Sequence, residues 1–372
     1  MKVGIPKETR ENETRVAASP ESVKKLVKKG LSVCVESSAG LLSLFTDDEF
    51  KEAGAEIVDK AAAFGSDIVL KFHPPTEEEI SLMKKGALLI SFLERYRQQG
   101  IEQRLSQAGV NCFAMELLPR ISRAQSMDAL SSQAGLAGYR AVLEAGIHYE
   151  RFFPMMMTSA GSAKPAGLLV LGAGVAGLQA LATAKRLGAK VVGYDIRPET
   201  KEEIESLGAK FLELDIGEEG GGEGGYAKEL SEEAKKKQQE LFQEALKKFD
   251  IIISTASVPG KKAPVLITED AVKGMRKGSV IVDLAAANGG NCALTEKAQV
   301  VQKHGVTIVG KLDYPAMVPF DASRFYSRNV NEILFLMLEE QEGKVNLKYD
   351  FEDEIINESL ATHNGEIRLK SE

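Results

Sequence analysis

Leu169-Val170-Leu171-Gly172-Ala173-Gly174-Val175-Ala176-Gly177-Leu178-Gln179-Ala180 is the stretch whose reading decides the fold. An apolar run enters a turn with three glycines at GxGxxG spacing and leaves as a helix-forming stretch. In such a unit the first glycine, Gly172, makes the tight turn. The second, Gly174, lets the backbone approach a pyrophosphate, and the third, Gly177, lets the helix pack on the strand. The helix N-terminus then points free N–H groups and a positive dipole end at the phosphates.

The next apolar run, Lys190–Tyr194, ends in Asp195, 18 residues past Gly177. An acid there accepts hydrogen bonds from ribose hydroxyls and repels a 2′-phosphate, which predicts NAD(H) over NADP(H). Arg197, two residues on, is able to accommodate a 2′-phosphate, cover the adenine or pair with Asp195. Ser254-Thr-Ala-Ser257 follows another apolar run, and small residues at a strand's carboxyl end suit a dinucleotide. A tight turn without a ligand is the competing explanation, and the coincidence of strand, glycines, helix and acid argues against it.

Outward from this unit the same rhythm repeats. Strands are expected at Lys2–Ile5, Leu31–Glu36, Asp67–Phe72, Leu88–Leu93 and Val110–Glu116. Helices are expected at Pro20–Lys29, Asp47–Ala53, Thr76–Lys85 and Gln98–Ala108. Beyond the glycine turn, strands are expected at Lys210–Leu212, Ile251–Ser254, Val280–Asp283 and Thr307–Val309. Alternating strands and helices predict α/β architecture with two doubly wound, parallel-sheet (Rossmann-like) domains. A long helix, Ser122–Ala145, is expected to join them, and a tail helix, Asp321–Gln341, to pack back on the first domain. The expected division is a nucleotide-binding domain over 127–310 and a discontinuous companion domain over 1–126 and 311–372.

Composition narrows the function. The 372 residues carry 47 basic and 54 acidic side chains, a net charge of −7, which disfavours nucleic-acid binding. No run of about 20 apolar residues exists, so direct membrane insertion is not expected. The N-terminus has no apolar signal region, which predicts a chain that is not secreted. Cys34, Cys112 and Cys292 form no CxxC pair, and His73, His148, His304 and His363 lack metal-ligand spacing, so no metal site is expected. The run Gly217–Tyr226 holds five glycines from Gly220 onward. It reads either as a flexible insertion or as a flap that lands Tyr226 on a ligand.

A second polar cluster, Pro119-Arg-Ile-Ser-Arg-Ala-Gln-Ser-Met-Asp128 followed by Ser131-Ser-Gln, concentrates hydrogen-bonding groups at a loop-to-helix junction. Gln125, Asp128 and Ser131 or Ser132 are spaced to share a helix face. By itself this reads first as a capped, solvated helix start.

These residues carry a resemblance. The Pro119–Asp128 run, Phe153-Pro-Met-Met-Met-Thr158, Gly172-x-Gly-Val-Ala-Gly-Leu-Gln-Ala180, Gly224-Gly-Tyr-Ala-Lys-Glu229, Asp283-Leu-Ala and Gly289-Gly-Asn-Cys292 resemble the NAD(H)-binding component of proton-translocating NAD(P) transhydrogenase. Ile5-Pro-Lys-Glu8 and Arg15-Val-Ala fit the wider superfamily that includes alanine dehydrogenase. The resemblance implies that Arg120, Gln125 and Asp128 orient the nicotinamide, with Met127 and Ser131 beside them. It implies that Gly225 and Tyr226 close over the cofactor. It further implies that Gly172, Gly174, Val175, Gly177, Asp195, Ile196, Arg197, Ala256 and Ser257 bind NAD(H). The implied reaction is hydride transfer from NADH to NADP+ held by an NADP(H)-binding partner component, coupled to protons by a membrane-spanning one. The implied chain is a homodimer on the cytoplasmic side of the membrane, with NADP(H) bound by the partner. Direct transfer between nicotinamides needs no protein acid or base.

Two other functions share some of these residues. An alanine-dehydrogenase-like enzyme would use Arg15 and Lys71, but Glu94 stands where that family has a catalytic His and Ala287 where it has a catalytic Asp. An NAD-sensing module would need the cofactor residues alone.

Overall fold

A computed structural model of the chain describes residues 1–214, 232–257 and 260–369. It divides into two compact units, Met1–Gln133 with Pro315–Glu372 and Ala134–Tyr314. The divisions therefore fall at 133/134 and 314/315 rather than at the expected 126/127 and 310/311. The first lies inside the helix Ala129–His148, which the chain follows from one unit into the other.

The first unit is built on β1 (Lys2–Ile5), β2 (Ser32–Glu36), β3 (Ala55–Val58), β4 (Ile68–Leu70), β5 (Leu88–Ser91) and β6 (Asn111–Ala114). Their spatial order is β3-β2-β1-β4-β5-β6, all parallel. This is the doubly wound order, and its direction reverses between β1 and β4. Alternate residues face opposite layers: Leu88 and Ile90 join one apolar cluster with Val23, Leu26 and Val330, while Leu89 joins another with Phe64 and Leu105. Helix starts are fixed locally. Ser19 and Ser22 form a capping box ahead of Pro20, and Thr46–Glu49 and Thr76–Glu79 form two more.

The second unit begins with an exposed hairpin, β7 (Met156–Thr158) and β8 (Gly161–Ala163). Its main sheet comprises β9 (Gly167–Leu171), β10 (Lys190–Tyr194), β11 (Lys210–Phe211), β12 (Ile251–Ser254), β13 (Val280–Asp283), β14 (Val300–Lys303) and β15 (Val306–Val309). The order is β11-β10-β9-β12-β13-β15-β14, parallel except for the edge strand β14, with its reversal between β9 and β12. The segment 217–226, with Gly225 and Tyr226, lies outside the described residues.

The two parallel sheets stand as expected, and β18 (Leu360–His363) and β19 (Glu366–Ile367) extend the first with antiparallel strands beside β6. Two expectations are corrected. The expected tail helix spans Pro319–Leu336 and gives way to a hairpin of β16 (Leu338–Gln341) and β17 (Lys344–Leu347). The expected helix from Ser122 is two elements: a 3-10 segment Ser122–Met127, then the α-helix Ala129–His148, broken at Asp128, which is extended at ψ 91°. Gln125 and Asp128 therefore do not share one continuous helix face.

Candidate functional site

The turn after β9 in the second unit separates the roles of its three glycines. Gly172 has φ +98°, a left-handed conformation that favours glycine, and a Cβ on it would lie 2.6 Å from Thr255 Oγ1. A Cβ on Gly177 would lie 1.8 Å from the Gly172 carbonyl oxygen, so the helix Val175–Arg186 rests on the turn only because residue 177 has no side chain. Gly174 differs. It is the helix N-cap with φ −78° and ψ −173°, allowed for any residue, and a Cβ there would meet nothing within 4 Å. Nothing in the described chain requires glycine at 174, and the space above it is open. No side chain caps this helix, which leaves first-turn N–H groups facing that space. Gly138, which the sequence reading missed, completes the cradle: a Cβ on it would lie 2.0 Å from the Ala176 carbonyl oxygen, so Ala129–His148 packs hard on the start of Val175–Arg186.

Asp195 stands at the end of β10, beside the turn. Its carboxylate accepts the Ala173 N–H at 2.7 Å and the Arg197 N–H at 2.9 Å. It also accepts Arg197 Nε and Nη2, each at 3.0 Å. Burial opposes ionisation of Asp195, but the Arg197 side chain and the two backbone N–H groups outweigh it and hold the pKa below the usual carboxylate value. Of the three roles open to Arg197, the structure has it paired with Asp195. Ile196 projects beside them, 87% exposed.

Thr255, after β12, donates to the Leu171 and Gly172 carbonyls at 3.1 and 3.2 Å, which ties the two strands flanking the sheet's reversal. The Ala256 carbonyl accepts from Asn291 Nδ2 at 2.8 Å, and exposed Ser257 lies 3.4 Å from Asn288 Nδ2. Asn291 is itself held by Asp283 at the end of β13. The Asp283 carboxylate is fully buried and takes the N–H groups of Ala285, Asn291 and Cys292 and the hydroxyls of Ser254 and Thr295. Gly172, Gly174, Val175, Gly177, Asp195 and Ala256 thus gather at one crevice over the carboxyl ends of β9, β10 and β12. In a doubly wound sheet that is where a dinucleotide lies.

The Arg120–Ser131 cluster belongs to the first unit. Asp128 is the cap of Ala129–His148: Oδ1 accepts the Ser131 N–H at 2.9 Å and Oδ2 the Ser131 hydroxyl at 2.5 Å. Arg120 and Gln125 are exposed. The Met127 side chain packs in the apolar core. The segment is held by residues the sequence reading did not single out. Asn329 bridges the break, donating to the Ser126 carbonyl at 2.8 Å and accepting the Ser132 hydroxyl at 2.8 Å. Arg123 makes a two-pronged pair with Asp353 at 2.7 and 2.8 Å.

At the reversal of the first sheet, between β1 and β4, the crevice is filled by the chain's own charges. Arg15 (3% exposed) binds Glu13, through Nε at 2.7 Å and Nη2 at 2.6 Å, and its guanidinium carbon stands 3.7 Å from the centre of the Phe72 ring. Lys71 lies 3.1 Å from Glu8 and 3.6 Å from Glu79. His73 stands between Glu13 and Glu94, and Arg10 grips Glu94 through both terminal nitrogens. Glu94 has φ +48°, a left-handed backbone that costs a non-glycine residue about 1–2 kcal/mol. This network was not legible in sequence because its members come from four separate segments. Among the described residues no cluster has metal-ligand geometry, and no helix is long and apolar enough to cross a membrane.

Known proteins share the sequence and fold of this chain. Residues 4–137 match the family described as alanine dehydrogenase/PNT, N-terminal domain, and residues 141–370 the corresponding C-terminal domain. The chain is 48% identical over 376 residues to an NAD(P) transhydrogenase subunit alpha protein of Rhodospirillum rubrum, covering 99% of this chain and 97% of that protein. It is 47% identical over 367 residues to NAD(P) transhydrogenase subunit alpha of Haemophilus influenzae, covering 98% of this chain and 71% of that one. A solved transhydrogenase structure from Sinorhizobium meliloti matches with TM-score 0.89 at 43% identity, covering 99% and 100% of the two chains. An L-alanine dehydrogenase structure matches with TM-score 0.80 at 27% identity, covering 99% and 97%. With both halves of the chain and its full-length relatives in agreement, this protein belongs to the alanine dehydrogenase/PNT family.

Proposed function

We propose that the chain is the NAD(H)-binding subunit of an NAD(P) transhydrogenase. It binds NADH and passes hydride to NADP+ held by a separate NADP(H)-binding component, with proton translocation carried by a membrane-spanning one. The observation that carries this reading is the open N-cap at Gly174 beside Asp195, a cradle that fits a pyrophosphate and an adjoining ribose. Relatives named as transhydrogenase alpha subunits support the partner arrangement. The bound NADH supplies the chemistry, a hydride at its nicotinamide ring.

The chain's own residues bind and orient. First-turn N–H groups of Val175–Arg186 take the phosphates and Gly177 lets that helix seat. Asp195 takes the ribose hydroxyls, with Ile196 and Arg197 flanking them and Ala256 and Ser257 at the strand end. Arg197 must yield at least one of its bonds to Asp195 when the ribose enters. Arg120, Gln125, Asp128 and Ser131, with the Met127 backbone, orient the nicotinamide end, and Gly225 and Tyr226 close over it. A homodimer attached through its partners to the cytoplasmic face of the membrane completes the reading. The exposed apolar side chains Ile147, Phe152, Met155 and Met157 support a second copy as neighbour.

The chemistry of the first unit weighs against an alanine-dehydrogenase reaction. Arg15 and Lys71 are buried and already engaged by Glu13 and Glu8, and Glu94 is committed to Arg10 and His73. The test is reconstitution with a transhydrogenase NADP(H)-binding component, following hydride transfer from NADH to an NADP+ analogue. Exchange is expected, with no turnover of pyruvate, ammonia and NADH by the chain alone. NADH binding without exchange would leave only a nucleotide sensor and overturn the proposal.

A further inference from the structure

We propose that His73 is a proton-operated fastener: as an imidazolium it ties the segment Lys7–Arg15 across the crevice at the reversal of the first sheet, and losing its ring proton in alkaline solution frees that segment. The inference is independent of the nucleotide chemistry above and rests on which atoms have hydrogens to give. Glu13 accepts the N–H groups of Thr14 and Arg15 at 2.9 and 2.8 Å, as well as Arg15 Nε and Nη2 at 2.7 and 2.6 Å. Glu94 accepts Arg10 Nη1 and Nη2 at 2.7 and 3.0 Å. Both are therefore carboxylates with no proton to donate. His73 Nε2 faces Glu13 Oε2 at 2.5 Å, and Nδ1 faces Glu94 Oε1 at 2.8 Å. A ring between two acceptors must donate from both nitrogens, and only the imidazolium does so.

The ring joins two ion-paired carboxylates, Glu13 with Arg15 and Glu94 with Arg10 and Arg97, beside Lys71 with Glu8 and Glu79. Every element packed around the ring contributes. The loop after β1 brings Glu8, Arg10, Glu13 and Arg15, the end of β4 brings Lys71, and the stretch after β5 brings Glu94 and Arg97. Glu79 comes from the helix Glu77–Ser81, Glu116 from the turn after β6 and Tyr326 from Pro319–Leu336. Burial disfavours the charged ring, but the hydrogen bonds to Glu13 and Glu94 and the charges of Glu8 and Glu13 outweigh it, so the pKa moves up from the ordinary value.

The raised folded value fixes the sign. The ring's contribution is complete below the unfolded histidine pKa of about 6.5 and is lost as pH rises through the folded value. A neutral ring would point a lone pair at a carboxylate oxygen in a site that is 5% exposed, so the facing elements must part. Release reaches further along the chain, because Arg15 Nη1 donates to Gln133 at 3.2 Å and Gln133 Nε2 donates to the Ala322 carbonyl at 3.0 Å.

Ring NMR and hydrogen exchange on the whole chain test this. The chain has 4 histidines, so the His73 signal is assignable by its loss in His73→Gln. The wild-type ring is expected to be doubly protonated at neutral pH, with a midpoint above the ordinary histidine value. Amide protection over residues 7–16, corrected for intrinsic exchange, is expected to fall at least about ten-fold as that ring titrates. His73→Gln can donate to only one of the two carboxylates and turns its amide oxygen on the other, so its segment should exchange fast at every pH. His73→Gln with Glu94→Gln gives that amide oxygen a donor and should recover protection without the pH dependence. A neutral ring at neutral pH, or protection unchanged across the titration, would overturn the proposal, and both readings come from the wild-type chain.

Discussion

Gly174 and Gly177 are three residues apart and answer to different neighbours. Gly177 answers to the chain itself, since any side chain there strikes the Gly172 carbonyl. Gly174 answers to nothing in the described chain. The two substitutions should therefore separate folding from binding. Gly177→Ala is expected to cost about 1–3 kcal/mol of overpacking strain and to lower Tm by several degrees. Gly174→Ala is expected to cost about 1 kcal/mol or less, the difference between glycine and alanine as a cap, while weakening NADH at least about ten-fold by blocking the phosphate approach. Thermal melts and NADH titration of the two variants measure both. Unchanged NADH affinity in Gly174→Ala would mean that the open space above the turn is not the phosphate site.

The helix Ala129–His148 shows how one element serves two ends. Its cap, Asp128, is bonded to Ser131, so the pair is accounted for without a ligand. Asparagine caps a helix about as well as aspartate, which makes Asp128→Asn a charge change with little change in stability. We expect this variant to keep its Tm and most of its NADH affinity while hydride transfer to a partner-bound NADP+ slows. A loss entirely in binding, with bound-state transfer unchanged, would remove Asp128 from the orienting role. Asn329 offers the complementary perturbation. Asn329→Ala cuts both hydrogen bonds across the break and is expected to cost about 1–3 kcal/mol. Amide protection should fall over residues 122–132 first, with the β9 turn in the other unit unaffected.

Across the whole molecule one topology appears twice and is used in opposite ways. Each unit has its sheet reversal where a ligand crevice is expected. The second unit leaves that crevice open above glycines. The first fills it with paired charges. That difference predicts how the chain responds to acid. Glu94, held by His73 and Arg10 against the cost of burial, has its pKa lowered to about 2. Its contribution is present above the unfolded carboxylate value of about 4.3 and is lost as pH falls toward about 2. Glu13, held the same way by Arg15 and His73, adds to this in the same direction. Urea unfolding followed by probes in each unit should show the first losing stability more steeply over that range. Glu94→Gln should flatten its slope.

Much of this protein is determined by local sequence. The strands Lys2–Ile5, Lys190–Tyr194, Ile251–Ser254 and Val280–Asp283 stand at their expected bounds, because short runs rich in Val and Ile between turn signals have few other ways to be buried. The glycine turn and its acid are legible because their spacing is set within one strand–turn–helix unit. Tertiary structure decided what depends on distant partners. The break at Asp128 is pinned from Pro319–Leu336 by Asn329, and the strand Leu360–His363 forms by pairing with β6. The charge network joins residues from 8 to 94 that share no local pattern. Local preference is short-ranged, whereas pairing a buried charge or completing a sheet edge requires a partner that only the folded chain brings within hydrogen-bond reach.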